Sequence, residues 1–422
     1  MTASSPAPAR GLRFEPFRAL RPSADGADLA RLLCPPYDVI DAAERTRLLE
    51  GSADNAVAVI LPEDPAGDPY RTAAQRLESW VQTGHYRPDA GPALYVYEMR
   101  TADGVATRGL VGAVELRDPA DGVILPHENT MAGPVADRLA LMRATEANVE
   151  PIYLVYDGGG AASEAVASVD TVAPLATATT NDGITHRLWR LDDPTTLESI
   201  AADLATRRAL IADGHHRYAT YRELQHELRE SRGEGAWDFG LTLLVDSTSY
   251  GPQVHAIHRV VQVPLDSALA KLADWAVEIR EAGSPAAALA ELGDGAEFTA
   301  VLTDGTRSVV VTDLGRRIRD VSLHEGETAT LTDLDVTVLH RGLVERVWGL
   351  EDTVDTVGYA HSVEEAAADA RESGATAVLL RPTPVAAVAA VAAAGARMPR
   401  KSTLFTPKPA SGLVMRRFAD GD

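Results

Sequence analysis

The stretch Asp213-Gly214-His215-His216-Arg217-Tyr218 carries the densest chemistry in this chain of 422 residues. An acid, a glycine, two imidazoles and a guanidinium follow one another where the flanking pattern predicts a strand-to-helix turn. The apolar run Ala209-Leu210-Ile211-Ala212 leads in, and Tyr218, Tyr221, Leu224 and Leu228 lead out at helical spacing. A helix amino end offers backbone N–H groups and the positive end of a dipole, so it favours anions. Asp213, Gly214, His215, His216 and Arg217 therefore form a candidate phosphate site, with Thr220 one turn further on. Asp213 can cap the helix or sit near a metal. The residues assign no metal-ligand set.

Three further segments are candidates. In Leu125-Pro126-His127-Glu128-Asn129-Thr130, Glu128 lies between a predicted strand and a predicted helix. A carboxylate there suits a general base acting on a hydroxyl, with His127 beside it, and it suits a capped loop as well. Arg138 lies on the helix that follows. In Cys34-Pro35-Pro36-Tyr37-Asp38-Val39, the paired prolines make a rigid extended segment that would hold Tyr37 and Asp38 at fixed positions. The same prolines also fit a plain turn into a helix capped by Asp41. The segment 398–409 gathers Arg400, Lys401 and Lys408 in an otherwise acidic chain, and Lys401 with Ser402 suits a phosphate or a carboxylate. His255 and His258 fall three apart in one predicted strand, on opposite faces, which disfavours a metal pair. The sequence has no P-loop, G-x-G-x-x-G or H-E-x-x-H pattern.

Elements of both periods must position these residues. Asp41 and Asp68 read as caps of helices over 42–49 and 69–83, the second with Pro at its first position. Residues 56–61 read as a short strand. Strands are predicted over 94–99 and 107–116, joined by a turn at Ala102-Asp103-Gly104. A helix over 134–147 and a strand over 151–156 follow, and Gly158-Gly159-Gly160 then breaks the chain. Beyond about 233–236 the pattern changes to longer strands (241–245, 254–263, 297–302, 308–311) with helices over 265–282 and 286–292. Near the end come a helix over 334–348 and strands over 403–406 and 412–416 that pair with each other. The fold class is α+β with mixed sheets.

Composition narrows the function. Apolar content is 45% and charged content 24%, ordinary for a globular protein. A formal net charge of −21 disfavours nucleic acid and anionic membrane surfaces as partners. A single cysteine, Cys34, excludes an intramolecular disulfide. The amino end carries no apolar signal-like run, and no stretch approaches the length of a spanning helix. The expected location is the cytoplasm, and the expected partners are a nucleotide and a small-molecule substrate.

Taken in order, the Pro-His-Glu segment, a helix, the Pro151-Ile152 strand and the Asp213–Arg217 turn resemble the ParB/sulfiredoxin superfamily. The whole chain is also similar to a bacterial family catalogued as a domain of unknown function, through PPYDVI, PHENT, ADGHHRYAT and MPRKSTLFTPKP. The resemblance implies a ParB/sulfiredoxin-like nucleotide-binding core over 108–232 with an insertion at about 157–206. A disordered 1–10, an α/β region over 11–107 and an α+β region over 233–422 that contributes the 398–409 loop would surround it. Sulfiredoxin chemistry needs a cysteine where this chain has Gly214, and ParB proteins carry basic surfaces that this chain lacks. The remaining activity in the superfamily is free-serine kinase, with Mg²⁺ and ATP or ADP as phosphate donor. By that resemblance Glu128 would activate the serine hydroxyl, and Asp213, His215, His216 and Arg217 would hold phosphates. On their own chemistry rather than by the resemblance, Tyr37, Asp38, Arg138, Lys401 and Ser402 are candidates for the amino acid. The other expectation is a non-catalytic nucleotide-binding regulator that hydrolyses nucleotide slowly or not at all.

Overall fold

A computed structural model describes residues 11–65, 67–293, 297–313, 316–323 and 329–421. The expectation for residues 1–10 lies outside the described residues. The fold is α+β, and the chain divides into two compact units. Of the described residues, the first takes those up to 126, 130–252 and those from 407 on, and the second 127–129 and those within 253–406.

The first unit is built on a mixed sheet of nine strands among the described residues. In chain order these are β1 (Phe14–Glu15), β2 (Leu94–Arg100), β3 (Ala106–Glu115), β4 (Ile124–Leu125), β5 (Ile152–Tyr156), β6 (Ala176–Thr179), β7 (Thr185–Leu191), β8 (Ala209–Asp213) and β9 (Phe239–Asp246). Their spatial order is β4-β8-β5-β9-β3-β2-β7-β6, with β1 paired to β3. The pairs β8·β4 and β9·β5 are parallel, and the others are antiparallel. The central strands are apolar on both faces. Ile152, Leu154, Ile211 and Leu244 are buried in one core with Tyr218, Tyr221 and Leu224 of the helix that follows β8. Burying one such side chain contributes about 2 kcal/mol. The expected break near 233–236 falls instead at 252/253, because β9 lies inside this sheet. Within 157–206, β6 and β7 extend the sheet beyond β2.

Three helices matter for the site: α1 (Pro69–Thr83), α2 (Ala132–Thr145) and α3 (His215–Arg232). The caps expected at Asp41 and Asp68 form, Asp41 accepting from the Glu44 N–H and Asp68 from those of Tyr70 and Arg71. Residues 56–61 are not a strand. Val57–Ile60 is a short helix, all of it buried, and Asn55 accepts from the Val57 N–H at 2.9 Å to start it.

The second unit holds an antiparallel sheet of six strands among its described residues: β10 (His258–Val261), β11 (Glu278–Ala282), β12 (Thr299–Thr303), β13 (Ser308–Thr312), β14 (Val357–Ala360) and β15 (Thr376–Leu379). Their order is β11-β13-β12-β15-β10-β14. Four expectations about the chain beyond residue 252 change. The strand expected over 254–263 splits, and its first part, Gln253–His255, pairs with Leu404–Thr406. His255 and His258 thus lie in different strands. The helix expected over 265–282 stops at Leu272, and Glu278–Ala282 becomes the edge strand β11. The helix over 334–348 runs mostly as a π-helix, Val338–Val347. Strands 403–406 and 412–416 do not pair with each other, since Arg416–Arg417 pairs with Ala147–Asn148.

Candidate functional site

The turn Asp213–Arg217 forms as the sequence predicts, at the end of β8 and the start of α3. Gly214 takes φ +93°, a left-handed conformation that strains a residue with a Cβ. The Arg217 guanidinium lies over it, and a Cβ at Gly214 would meet Arg217 Nε at 3.1 Å. Gly214, the residue that opens α3, brings no side-chain cap of its own. His216 Nε2 accepts from the Met131 N–H at 3.0 Å, and Met131 is the residue that leads into α2. The amino ends of an 18-residue and a 14-residue helix are thereby tied together. Two positive dipole ends converge there.

Arg217 does not reach outward. Its side chain is 4% accessible, and it donates to the Pro151 carbonyl and to Asp213 Oδ2. Burial acts against its charge, but Asp213, Glu150 and Asp38 outweigh burial and raise its pKa. The more accessible cation at the turn is Lys408, at 17% against 4% for Arg217. Its ammonium lies 2.9 Å from Asp213 Oδ1 and 3.0 Å from Asp38 Oδ2. Burial disfavours the charged lysine, yet these two carboxylates raise its pKa. Burial likewise acts on Asp38, and Lys408 and Arg217 prevail, lowering its pKa.

Backbone pairing brings Asp38 and Lys408 together. Cys34 and Ser411 exchange N–H···O bonds in an isolated antiparallel bridge, which lays the Pro35–Val39 segment beside 407–411. Glu150, fully within the protein, accepts from the Tyr37 N–H at 3.0 Å and the Ser411 hydroxyl at 3.1 Å. Arg138 stacks over the Tyr37 ring at 4.2 Å and approaches Glu150 at 3.7 Å. Arg138 also donates to Asp137 and the Ile60 carbonyl. Burial pushes the Tyr37 phenol up to about 12, so it stays neutral and can donate. Thr220 is buried and donates to the His216 and Val135 carbonyls between α3 and α2. His215 is buried at the same helix end.

The other predicted site residues belong to the second unit. His127 is fully buried, and its Nε2 lies 3.0 Å from Thr403 Oγ1. Its carbonyl accepts from the Met398 N–H, so the 127–129 segment docks on the 398–405 loop. Glu128 Oε1 lies 4.0 Å from His127 Nε2, and its charge acts on Arg259 and Tyr359. Ser402 donates to the Pro399 carbonyl. Lys401 is exposed, at φ +53°. Arg259 holds this turn. It donates to the carbonyls of Arg400 at 3.0 Å and Lys401 at 2.8 Å, and through Nε to His340 at 2.9 Å. His340 in turn faces Asp352 at 3.0 Å.

The structure therefore brings Tyr37, Asp38 and Arg138 to the Asp213–Arg217 turn in one unit. It groups His127, Glu128, Lys401 and Ser402 in the other. Sequence reasoning missed Glu150, Ser411 and Arg259, and passed over Lys408 for Lys401. The signal for Lys408 was present in the basic 398–409 segment. Glu150 carried none, since a lone glutamate before a proline is unremarkable.

Among the described residues no group of three or more His, Cys, Asp or Glu side chains is placed to hold a metal ion, and no helix is long and apolar enough to cross a membrane. No curated protein matches the chain. Solved structures similar to it include a mutant free serine kinase in complex with AMP, at 16% identity and TM-score 0.34 over 67% of this chain and 83% of the other. A conserved hypothetical protein from Pyrococcus furiosus is similar at 16% identity and TM-score 0.33, over 71% and 94%. SbnI with a C-terminal truncation, from Staphylococcus aureus, is similar at 12% identity and TM-score 0.33, over 71% and 85%. The model of one family, described as protein of unknown function, matches residues 14–337, so the 398–409 segment lies outside the match. The chain belongs to this family, DUF1015.

Proposed function

We propose that the protein is a nucleotide-dependent phosphotransferase acting on a small hydroxyl metabolite, with free L-serine as acceptor and ATP or ADP as donor. One observation carries the reading. The amino end of α3 opens at a left-handed glycine that brings no side-chain cap of its own, with Lys408 beside it, in a place assembled from three remote segments. Phosphoryl transfer needs mainly positioning and charge neutralisation, and helix amino ends with a lysine supply both. In this reading His215, His216 and the backbone at Gly214 hold phosphate, and Arg217 stiffens the turn. Glu128, beside His127 in the second unit, is the candidate general base for an acceptor hydroxyl. Tyr37 and Arg138, in the first unit, are assigned to the amino acid. Mg²⁺ usually binds through one or two carboxylates plus substrate phosphates, so a pair of aspartates fits its needs without a larger cage.

The test is incubation with serine, Mg²⁺ and either nucleotide, followed by mass spectrometry for O-phosphoserine. Wild-type protein should form it, and Glu128→Gln should lower turnover at least a hundredfold while nucleotide affinity changes little. No phosphoserine with any nucleotide would sink the serine assignment. A nucleotide that raises the melting temperature, with no hydroxyl metabolite phosphorylated, would favour the alternative of a non-catalytic nucleotide-binding regulator.

A further inference from the structure

We infer that Asp38 and Asp213 form a divalent-cation site whose place is held by the Lys408 ammonium until a metal displaces it. The inference rests on the phosphotransferase reading for its purpose but not for its test. Three observations lead to it. First, one ammonium bridges two carboxylates from remote segments, at 3.0 and 2.9 Å, as a metal ion would. Both carboxylates keep some solvent access, 34% for Asp38 and 15% for Asp213, so an ion can reach them.

Second, Tyr153 stands opposite Asp213 in the β5·β8 register. Its side chain is completely buried, and its hydroxyl has no hydrogen-bond partner among the described residues. Asp213 is the charge that acts on it most strongly. Buried hydroxyls are nearly always paired, so this one points to a partner that arrives with a ligand. A hydrated Mg²⁺ or Mn²⁺ keeps several of its waters and brings such partners with it.

Third, the charges at the turn conflict with the anion assigned to it. Asp38, Asp213, Asp137 and Glu150 surround Lys408, Arg217 and Arg138. A nucleotide polyphosphate arriving alone would meet two carboxylates at the helix end. A divalent ion between the aspartates and the phosphates removes that repulsion. It also frees the Lys408 ammonium to bind phosphate.

The prediction has an unusual sign, because deleting a cation should strengthen cation binding. Mn²⁺ alone, without nucleotide, is titrated into the full-length protein and free Mn²⁺ is read by electron paramagnetic resonance. Lys408→Met should bind Mn²⁺ at least tenfold more tightly than wild type, and adding Asp38→Asn to that variant should abolish the gain. Lys408→Gln serves as a second variant should the methionine one fail to fold. Equal affinity in wild type and the Lys408 variants, or a gain that survives loss of Asp38, would overturn the site. Because no nucleotide is present, the two readings fail separately. A protein inert toward serine whose Lys408 variant gains Mn²⁺ keeps the site and loses the kinase assignment. Phosphoserine formation with no Mn²⁺ effect does the reverse.

Discussion

Arg217 turns its guanidinium inward, and this changes what its substitution measures. From the sequence an arginine beside two histidines at a helix start reads as a phosphate ligand. In the fold it clamps β5 to β8, donating to the Pro151 carbonyl and to Asp213. Lys408, nearly two hundred residues away in the chain, is the more accessible cation instead. Removing one partner of a buried ion pair costs several kcal/mol, and at Asp213 Lys408 would offset only part of the lost charge. Arg217→Ala should therefore lower stability by roughly 3 kcal/mol in a denaturant titration. In a double-mutant cycle with Asp213→Asn the two losses should be strongly non-additive. A nearly neutral Arg217→Ala variant would show that the guanidinium is solvated.

Gly214 sets the junction between the strand β8 and the helix α3. Alanine there faces two penalties: φ +93° disfavours a Cβ, and that Cβ would meet Arg217 atoms at 3.1–3.2 Å. Gly214→Ala should cost about 1–3 kcal/mol, with any nucleotide-induced melting shift reduced further than stability alone requires. An unchanged denaturation midpoint would mean the turn tolerates other backbone conformations. This junction was legible because its signals are local: an apolar run, a glycine, then helical spacing. The caps at Asp41 and Asp68 were legible for the same reason. The misread elements are those whose state depends on distant partners. Four apolar residues at 57–60 satisfy strand and helix alike. Glu278–Ala282 continues a helical pattern but is captured as an edge strand by Ser308–Thr312. Likewise Tyr37, Asp38 and Arg138 could be nominated singly, but what assembles them is Glu150 and the Cys34–Ser411 bridge, and no spacing in the chain announces either.

Each unit of the molecule carries a buried neutral histidine, and together they give the protein a defined acid response. In the first unit His186 lies between the Tyr97 and Thr180 hydroxyls, at 2.8 and 3.1 Å from its two ring nitrogens. Burial lowers its pKa to about 4, although Asp182 pulls the other way. In the second unit, burial and then Arg259 lower His258 to about 4, against Glu364 and Glu365. The Leu380 N–H donates to His258 Nδ1 at 3.3 Å, a bond that protonation breaks. In the unfolded chain both imidazoles titrate near 6.5. Between pH 6.5 and 4 the unfolded state therefore binds more protons than the folded one, and stability falls as pH falls. At pH 5 the loss is about 2 kcal/mol for each histidine. The stabilising contribution of lowered carboxylates such as Asp38 and Glu98 is lost only at lower pH, as pH falls through their own depressed values. Peptide-resolved hydrogen exchange at pH 7.5 and 5.0, corrected for intrinsic rates, reads β7 and β10 separately. Protection should fall in both strands. His186→Gln should flatten the response in β7 and leave β10 unchanged, and His258→Asn should do the converse. Equal protection at the two pH values would show that neither imidazole is held neutral by its unit.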